Sequence, residues 1–436
     1  MSARNRELLG LLPASLLVVC GFAAVVIRQS DALTDGSLTY GAAFLGLCLA
    51  AHLVLRVRLP DADPYLFPIV AILAGVGLVV IYRLDATLAR EQAQWFVVGL
   101  GAFAVTIVAL RDYRSLERYR YVIAAASLLL LVLPRMPVIG AQVNGAYLGI
   151  AVGPVTFQPA EFAKIGIIVF LASYLRDTRA LLVGRTIAGV AVPRLKHLGP
   201  LLAVWGMAML MLVVIRDLGS SLMFFGGFLA LLYVATNRLV FPLAGGALFA
   251  AGAWFFASSV GHVGDRIDAW RTPFDQALYD RPGGSYQLAQ SLFAQADGGV
   301  WGQGIGEALV RIGTPPDQAI LLPAAQTDLI YAVVVNELGL VGAALLLLVY
   351  LLLVERGMRI AVLARDSFSK LLAAGLTAVV ALQVFVIVGG VTKVIPLTGV
   401  TLPFVSYGGS SVVANLTIVA LLLLVSDRAR REARGG

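Results

Sequence analysis

Residues 328–354, DLIYAVVVNELGLVGAALLLLVYLLLV, decide the architecture of this chain. A helix needs roughly 20 predominantly apolar residues to cross the hydrocarbon core of a bilayer. This stretch supplies them with only two charged residues, Asp328 at its start and Glu337 about ten residues in. The same rule predicts twelve spans, at 8–27, 38–55, 66–82, 93–110, 120–134, 159–175, 198–215, 219–236, 239–260, 328–354, 370–391 and 408–426. Composition agrees. Of 436 residues 59% are apolar and 13% charged, where a soluble globular protein carries roughly 25% charged residues. The expected fold is an all-α polytopic membrane protein.

The net charge of +8 does not signal nucleic-acid binding, because the basic residues lie in short loops between apolar runs. With both termini in the cytoplasm, the inner tail and loops hold 22 of the 33 Lys and Arg residues, the bias that orients spans. The chain is therefore expected to cross its membrane many times with both termini on the cytoplasmic side. Cys20 and Cys48 fall within spans, and His52, His197 and His262 lack zinc-ligand spacing. The run from Leu8 to Ile27 is longer than a signal-peptide core of about 7–15 residues and is read as a retained first span.

The segment 261–327 is the exception to this pattern. Its residues up to Gln326 include seven acids (Asp265, Asp268, Asp275, Asp280, Asp297, Glu307, Asp317) and four arginines (Arg266, Arg271, Arg281, Arg311). The charge bias places it outside the cytoplasm. Long connections of this kind are usually functional or disordered, and its glycines and aromatics argue for order. Tyr286–Ala296 is predicted as a short interfacial helix with Leu288, Leu292 and Phe293 on one face and Ser291 elsewhere. The glycine run 298–306 does not match a dinucleotide fingerprint. Residues 135–158 are expected as a turn-rich surface excursion, and 393–411 as broken helix lining a cavity.

Several strings then carry a resemblance. Gln158-Pro159-Ala160-Glu161-Phe162-Ala163-Lys164, Asp217-Leu218-Gly219-Ser220, Asp280-Arg281-Pro282-Gly283-Gly284-Ser285-Tyr286-Gln287 and Leu402-Pro403-Phe404-Val405-Ser406-Tyr407-Gly408-Gly409-Ser410-Ser411 occur in order. Together they resemble the SEDS proteins, the RodA/FtsW group of cell-wall polymerases. The resemblance implies a ten-span core at 61–436, including the extracellular loop at 261–327, preceded by an added two-helix extension at 1–60. It further implies a peptidoglycan glycosyltransferase that polymerises lipid II outside the membrane, releases undecaprenyl diphosphate, and works with a class B penicillin-binding protein. The chain departs from the family pattern after Gly140-Ala141, where Gln142-Val143-Asn144 replaces a basic pair. Ala324-Ala325-Gln326-Thr327 likewise lacks the family's Glu and His. Pro396-Leu397-Thr398-Gly399-Val400 is more similar to the RodA type, which implies elongation rather than division.

A sugar hydroxyl attacking an anomeric carbon needs a carboxylate within reach to take its proton. Asp280 is the candidate base; a solvated loop acid is the bland reading, and Asp275 is the rival. Asp280 is also the candidate ligand for a divalent cation, Mg or Mn; no organic cofactor is expected. Candidate substrate contacts are Glu161, Lys164, Arg216, Asp217, Tyr286, Gln287, Glu337, Lys393, Ser406, Tyr407, Gly408, Gly409 and Ser410. Each has a structural alternative. Glu161 and Lys164, three apart on a helix, can be a bundle-closing ion pair, Arg216 an interfacial anchor, and Lys393 a snorkelling side chain. Two other function classes fit the composition: a lipid II flippase, and a non-catalytic scaffold for the penicillin-binding protein.

Overall fold

The computed structural model describes residues 2–30, 35–110, 112–136, 140–143, 146–152, 155–183, 186–187, 190–191, 199, 203, 206–207, 217–259, 261–308, 310–312 and 319–434. Among them, eight helices are long and apolar enough to cross a membrane: Ala3–Ile27, Thr39–Arg58, Leu66–Leu84, Ala86–Ala109, Leu218–Thr236, Ile330–Leu363, Ser367–Val391 and Gly409–Arg434. Each coincides with a predicted span. The predicted spans at 120–134, 159–175 and 239–260 are also helical, as Arg120–Val132, Pro159–Val183 and Val240–Ser259. The span predicted at 198–215 lies almost wholly outside the described residues.

The chain divides into two compact units. The first comprises 1–110, 265–356 and 383–431, and the second 111–264, 357–382 and 432–436. In the first, Ala3–Ser30 lies against Leu66–Leu84 through small residues. A Cβ on Gly10 would come within 3.0 Å of Pro68, and one on Gly75 within 2.7 Å of Val18. Helices in lipid gain little from the hydrophobic effect, so close packing of this kind is what joins them. At one end Arg4 pairs with Glu7, which also meets His52 Nδ1 at 2.6 Å. Asp63 there accepts from Arg430, and the Asp427 carboxylate takes the Asp61 amide at 2.9 Å. The first and last helices are thus tied at the same end of this unit.

The Ile330–Leu363 helix breaks at Gly339, whose φ of 67° and ψ of −172° are non-helical. The break leaves the carbonyls before it and the amides after it without helical partners. The glycine run satisfies both sets. Gln303 N donates to Asn336 O (2.9 Å) and Gly304 N to Glu337 O (3.0 Å). In return Leu340 N donates to Gly299 O (3.0 Å) and Val341 N to Val300 O (3.2 Å). Gly302, at φ +84°, and Gly339 approach so closely that a Cβ on either would strike the other strand of backbone. The five glycines of 298–306 therefore serve a helix break.

In the second unit Pro159–Val183 packs against Arg120–Val132 and Leu218–Thr236. Proline at its first position costs nothing, since that amide has no helical partner. Asp217 caps Leu218–Thr236 by accepting the Ser220 amide at 2.9 Å. The turn-rich reading of 135–158 needs correction, while the helical polytopic fold class stands. Residues Gly140–Val143, Ala146–Val152 and Val155–Phe157 form a three-stranded antiparallel sheet, with Ala141 opposite Gly149 and Ile150 opposite Phe157. Strand pairing satisfies the backbone that turns alone would leave open. Two short pairs, Thr186–Ile187 with Val190–Ala191 and Arg311–Ile312 with Ala319–Ile320, complete the strands among the described residues.

Gly77 makes a tight helix-to-backbone approach away from the break: a Cβ there would lie 2.5 Å from Phe404 O and 2.7 Å from Val405 Cα. Gly77→Ala must push the Leu66–Leu84 helix off rigid backbone, at an overpacking cost of about 1–3 kcal/mol. The expected outcome is a lower thermal unfolding midpoint in detergent, read by size-exclusion chromatography after heating, with Gly46→Ala as the neutral control in open space.

Candidate functional site

Asp280 ends the short helix Gln276–Tyr279 and is exposed. Its carboxylate accepts one hydrogen bond, from Gln276 Nε2 at 2.8 Å. The neighbouring Arg281 turns away to pair with Asp265 at 3.1 Å, so Asp280 makes no ion pair among the described residues. Asp275 is spent differently: it caps Gln276–Tyr279 through the Leu278 amide at 3.0 Å. Arg281 O accepts the Gly284 amide at 2.9 Å, closing the turn behind Asp280.

Tyr286 and Gln287 open the helix Tyr286–Gly298. The Tyr286 hydroxyl donates to Ile320 O at 2.9 Å, and its ring meets Tyr279 edge-on at 5.0 Å. Burial, and then Tyr279 beside it, pushes that hydroxyl above its ordinary pKa, so it stays a donor at neutral pH. Gln287 is half-buried. The predicted apolar face of this helix is rotated. Leu288, Ala289, Ser291 and Gly298 are buried, whereas Phe293 is 47% exposed and stacks on Phe274. Ser291 goes inside because its hydroxyl has a partner there, Val391 O at 3.2 Å. Periodicity alone cannot see such a partner.

The 392–408 segment is non-helical, as expected for broken helix. Ser406 Oγ donates to Thr327 O (2.7 Å) and accepts from Leu402 N (2.8 Å), so that hydroxyl ties the segment to the start of the Ile330–Leu363 helix. Tyr407 N donates to Gln326 O at 2.8 Å, and its hydroxyl donates to Glu91. Burial and then Glu91 hold the phenol well above its usual range. Gly408 N donates to Gln92 Oε1 (3.1 Å), whose amide nitrogen donates back to Ser406 O (3.1 Å). Gly409 begins the last helix with the Trp95 ring pressed against it, and Ser410 is buried in its first turn. Lys393 sits at φ +63°, its carbonyl held by Trp270 Nε1 at 3.0 Å.

Glu337 is 4% exposed and pairs with Arg83 Nε at 2.6 Å. The pair is a charge contact, since the Nε–H is not aimed along the line to Oε1. Arg83 also donates to Gly306 O (2.9 Å) and Ala308 O (2.6 Å). It thereby ties the Leu66–Leu84 helix to the glycine run. A cavity of about 330 Å³ opens here, walled by Arg83, Asp85, Leu88, Glu307, Gln326 and their neighbours. Asp280 is not among its walls.

The sequence missed Arg83, Glu91 and Gln92. The one available signal was a lone arginine closing an apolar run. Glu161 and Lys164 belong to the second unit, both buried, with Lys164 Nζ 2.6 Å from Glu161 Oε2. Asp217 lies in that unit as a helix cap, and Arg216 lies outside the described residues. Among the described residues no three His, Cys, Asp or Glu side chains converge to hold a metal ion. Asp280 offers a lone carboxylate, which is not a cation site by itself.

The profile of the FtsW, RodA and SpoVE cell cycle proteins matches residues 64–431. The peptidoglycan glycosyltransferase RodA of Mycobacterium bovis is 40% identical over 444 aligned positions, 99% of this chain and 92% of that protein. Stage V sporulation protein E of Bacillus subtilis is 31% identical over 84% of this chain and 98% of its own. Among solved structures, one described as showing coordination of polymerization and crosslinking by a peptidoglycan synthase complex superposes with a TM-score of 0.65. It shares 28% identity and covers 85% of this chain and 98% of that one. The crystal structure of RodA from Thermus thermophilus gives 0.59 at 28% identity, over 85% and 97%.

Breaking the Arg83–Glu337 contact leaves a buried carboxylate without its counter-charge, at a cost of about 3–5 kcal/mol. Arg83→Met is expected to lower the thermal midpoint sharply. Adding Glu337→Leu to that variant should recover most of the loss, because no uncompensated charge then remains.

Proposed function

The chain belongs to the FtsW/RodA/SpoVE family of cell cycle proteins, and from that membership we propose how its residues divide the work of a peptidoglycan glycosyltransferase. A hydroxyl of one lipid-borne saccharide attacks the anomeric carbon of another. The new C–O bond forms as the bond to the lipid diphosphate breaks, and the hydroxyl proton passes to Asp280. The diphosphate leaves with the electron pair of the broken bond. Tyr286 follows Asp280 by six residues, and its hydroxyl oxygen, whose proton goes to Ile320 O, has lone pairs suited to accept from a sugar hydroxyl.

The observation that carries this reading is the different use of the two neighbouring acids. Asp275 is consumed as a helix cap, while Asp280 is exposed and unpaired because Arg281 is held by Asp265. A carboxylate oxygen not engaged by a cation has lone pairs open to take the proton of an attacking hydroxyl. Glu161–Lys164 and Arg83–Glu337 are closed pairs and suit shaping the protein around a substrate better than reacting with it.

The basic bias of the predicted inner loops supports cytoplasmic termini and an outer-face loop. The superposition on a complex described as coordinating polymerization and crosslinking supports a cross-linking penicillin-binding protein as partner and lends support to lipid II as substrate. The RodA-named relatives, matched over nearly the whole chain, support a role in elongation.

The test is glycan polymerisation by the purified protein with its transpeptidase partner and fluorescent lipid II. Asp280→Asn is expected to lower the rate at least about 100-fold, as loss of a general base does, with folding and partner binding intact. Asp275→Asn, which keeps a capping side chain, should stay within a few-fold of wild type. Equal activity of wild type and D280N removes Asp280 from the chemistry. Inactive wild type that moves lipid II across vesicles instead points to a flippase, and inactivity in both assays to a scaffold. In cells, a fluorescent fusion is expected along the side wall, and confinement to the septum would reverse the elongation reading.

A further inference from the structure

The apex of the glycine run presents Trp301 with 81% of its surface exposed and Val300 with 53%. An exposed indole in a soluble loop would be a liability, and its setting here is different. Gly299 O and Val300 O accept the amides of Leu340 and Val341, so the apex is fixed beside the first turn after the helix break.

That turn begins an apolar exposed stripe. Leu340 is 62% exposed, and Val341, Leu345, Leu348 and Leu352 follow at helical spacing with 39–57% exposure. In a helix that crosses a bilayer, such a stripe faces lipid. The stretch Leu340–Val354 contains no charged residue and ends at Glu355 and Arg356. Its length is about 22 Å at 1.5 Å per residue, against a hydrocarbon core of about 30 Å. With Glu355 at one boundary, Leu340 lies about 8 Å inside the other. Trp301, fixed next to it, is at the same level.

We propose that Val300 and Trp301 are a lipid anchor, seated in the leaflet on the side of the 261–327 loop and occupied by bilayer phospholipid. Indole rings favour this level because the apolar ring meets acyl chain while the N–H reaches the headgroup region. The anchor sets the height of the loop segment above the membrane at a point that cannot slide. Its backbone is bonded to the spanning helix on both sides of Gly339, and Arg83 grips the same segment at Gly306 and Ala308. The inference rests on membrane placement and on backbone geometry, and is independent of the role given to Asp280.

Tryptophan emission of the full chain in phosphatidylcholine nanodiscs tests it. The spectrum of Trp301→Phe is subtracted from that of wild type, which removes the shared contributions of Trp95, Trp254, Trp270 and Trp205. The remaining Trp301 component is expected to lose about half its intensity or more to lipids brominated near the top of the acyl chain. Lipids brominated near the bilayer centre should quench it less, and aqueous iodide hardly at all. Strong iodide quenching with no response to brominated lipid overturns the proposal. So does a response equal at all depths, which marks a ring that does not hold one level. If Trp301→Phe does not elute as a single species, Trp301→Tyr provides the same subtraction. Neither arm reads glycan synthesis, so failure of the anchor and failure of the polymerase reading are separately visible.

Discussion

A helix that breaks inside a membrane must find partners for the backbone groups it frees, because no water is there to take them. Gly339 creates that demand in Ile330–Leu363, and the run from Gly298 to Gly304 meets it with four hydrogen bonds, two in each direction. Much of the first unit follows from this exchange. It draws a loop of a soluble character down to the spanning helices, fixes Asn336 and Glu337 just before the break, and aims Glu337 at Arg83. The cavity beside Arg83 exists because the loop is held there. Side chains at positions 302 or 339 would separate the two strands of backbone, so the exchange requires glycine on both sides.

Charge placement separates structural from chemical groups. Buried ionisable side chains here meet a partner: Glu161 with Lys164, Glu337 with Arg83, Glu7 with Arg4 and His52, Asp63 with Arg430. An ion taken out of water is tolerated only with such a partner. Asp280 is the contrary case, solvated and held by one amide. Its neighbours explain this state. Arg281 is diverted to Asp265, and the turn through Gly283 and Gly284 leaves the carboxylate on the outside.

The spans were legible because length and apolarity are properties of the chain itself, and eight predicted spans coincide with long apolar helices. Glu337 was expected to face protein rather than lipid, and it is buried. What was misread depended on distant partners. Gly140–Phe157 looked like turns because its glycines and β-branched residues say nothing of which strand pairs with which. Phe293 looked like core by periodicity, and Ser291 like surface, until Val391 O supplied the serine's partner. Arg83 was passed over, because nothing near it in sequence names Glu337.

The amino-acid sequence by itself determined a chain of membrane-spanning helices, a charged loop between two of them, and the motifs that place it among cell-wall polymerases. Hydropathy, charge bias and motif order are local, so they survive without a structure. Tertiary structure alone decided that Asp275 is a cap and Asp280 is free, that the glycine run closes a helix break, and that Trp301 stands at its apex. Each of those outcomes is set by hydrogen bonds and ion pairs between residues remote in the chain or competing within one turn, and such choices are made only when the backbone closes on itself.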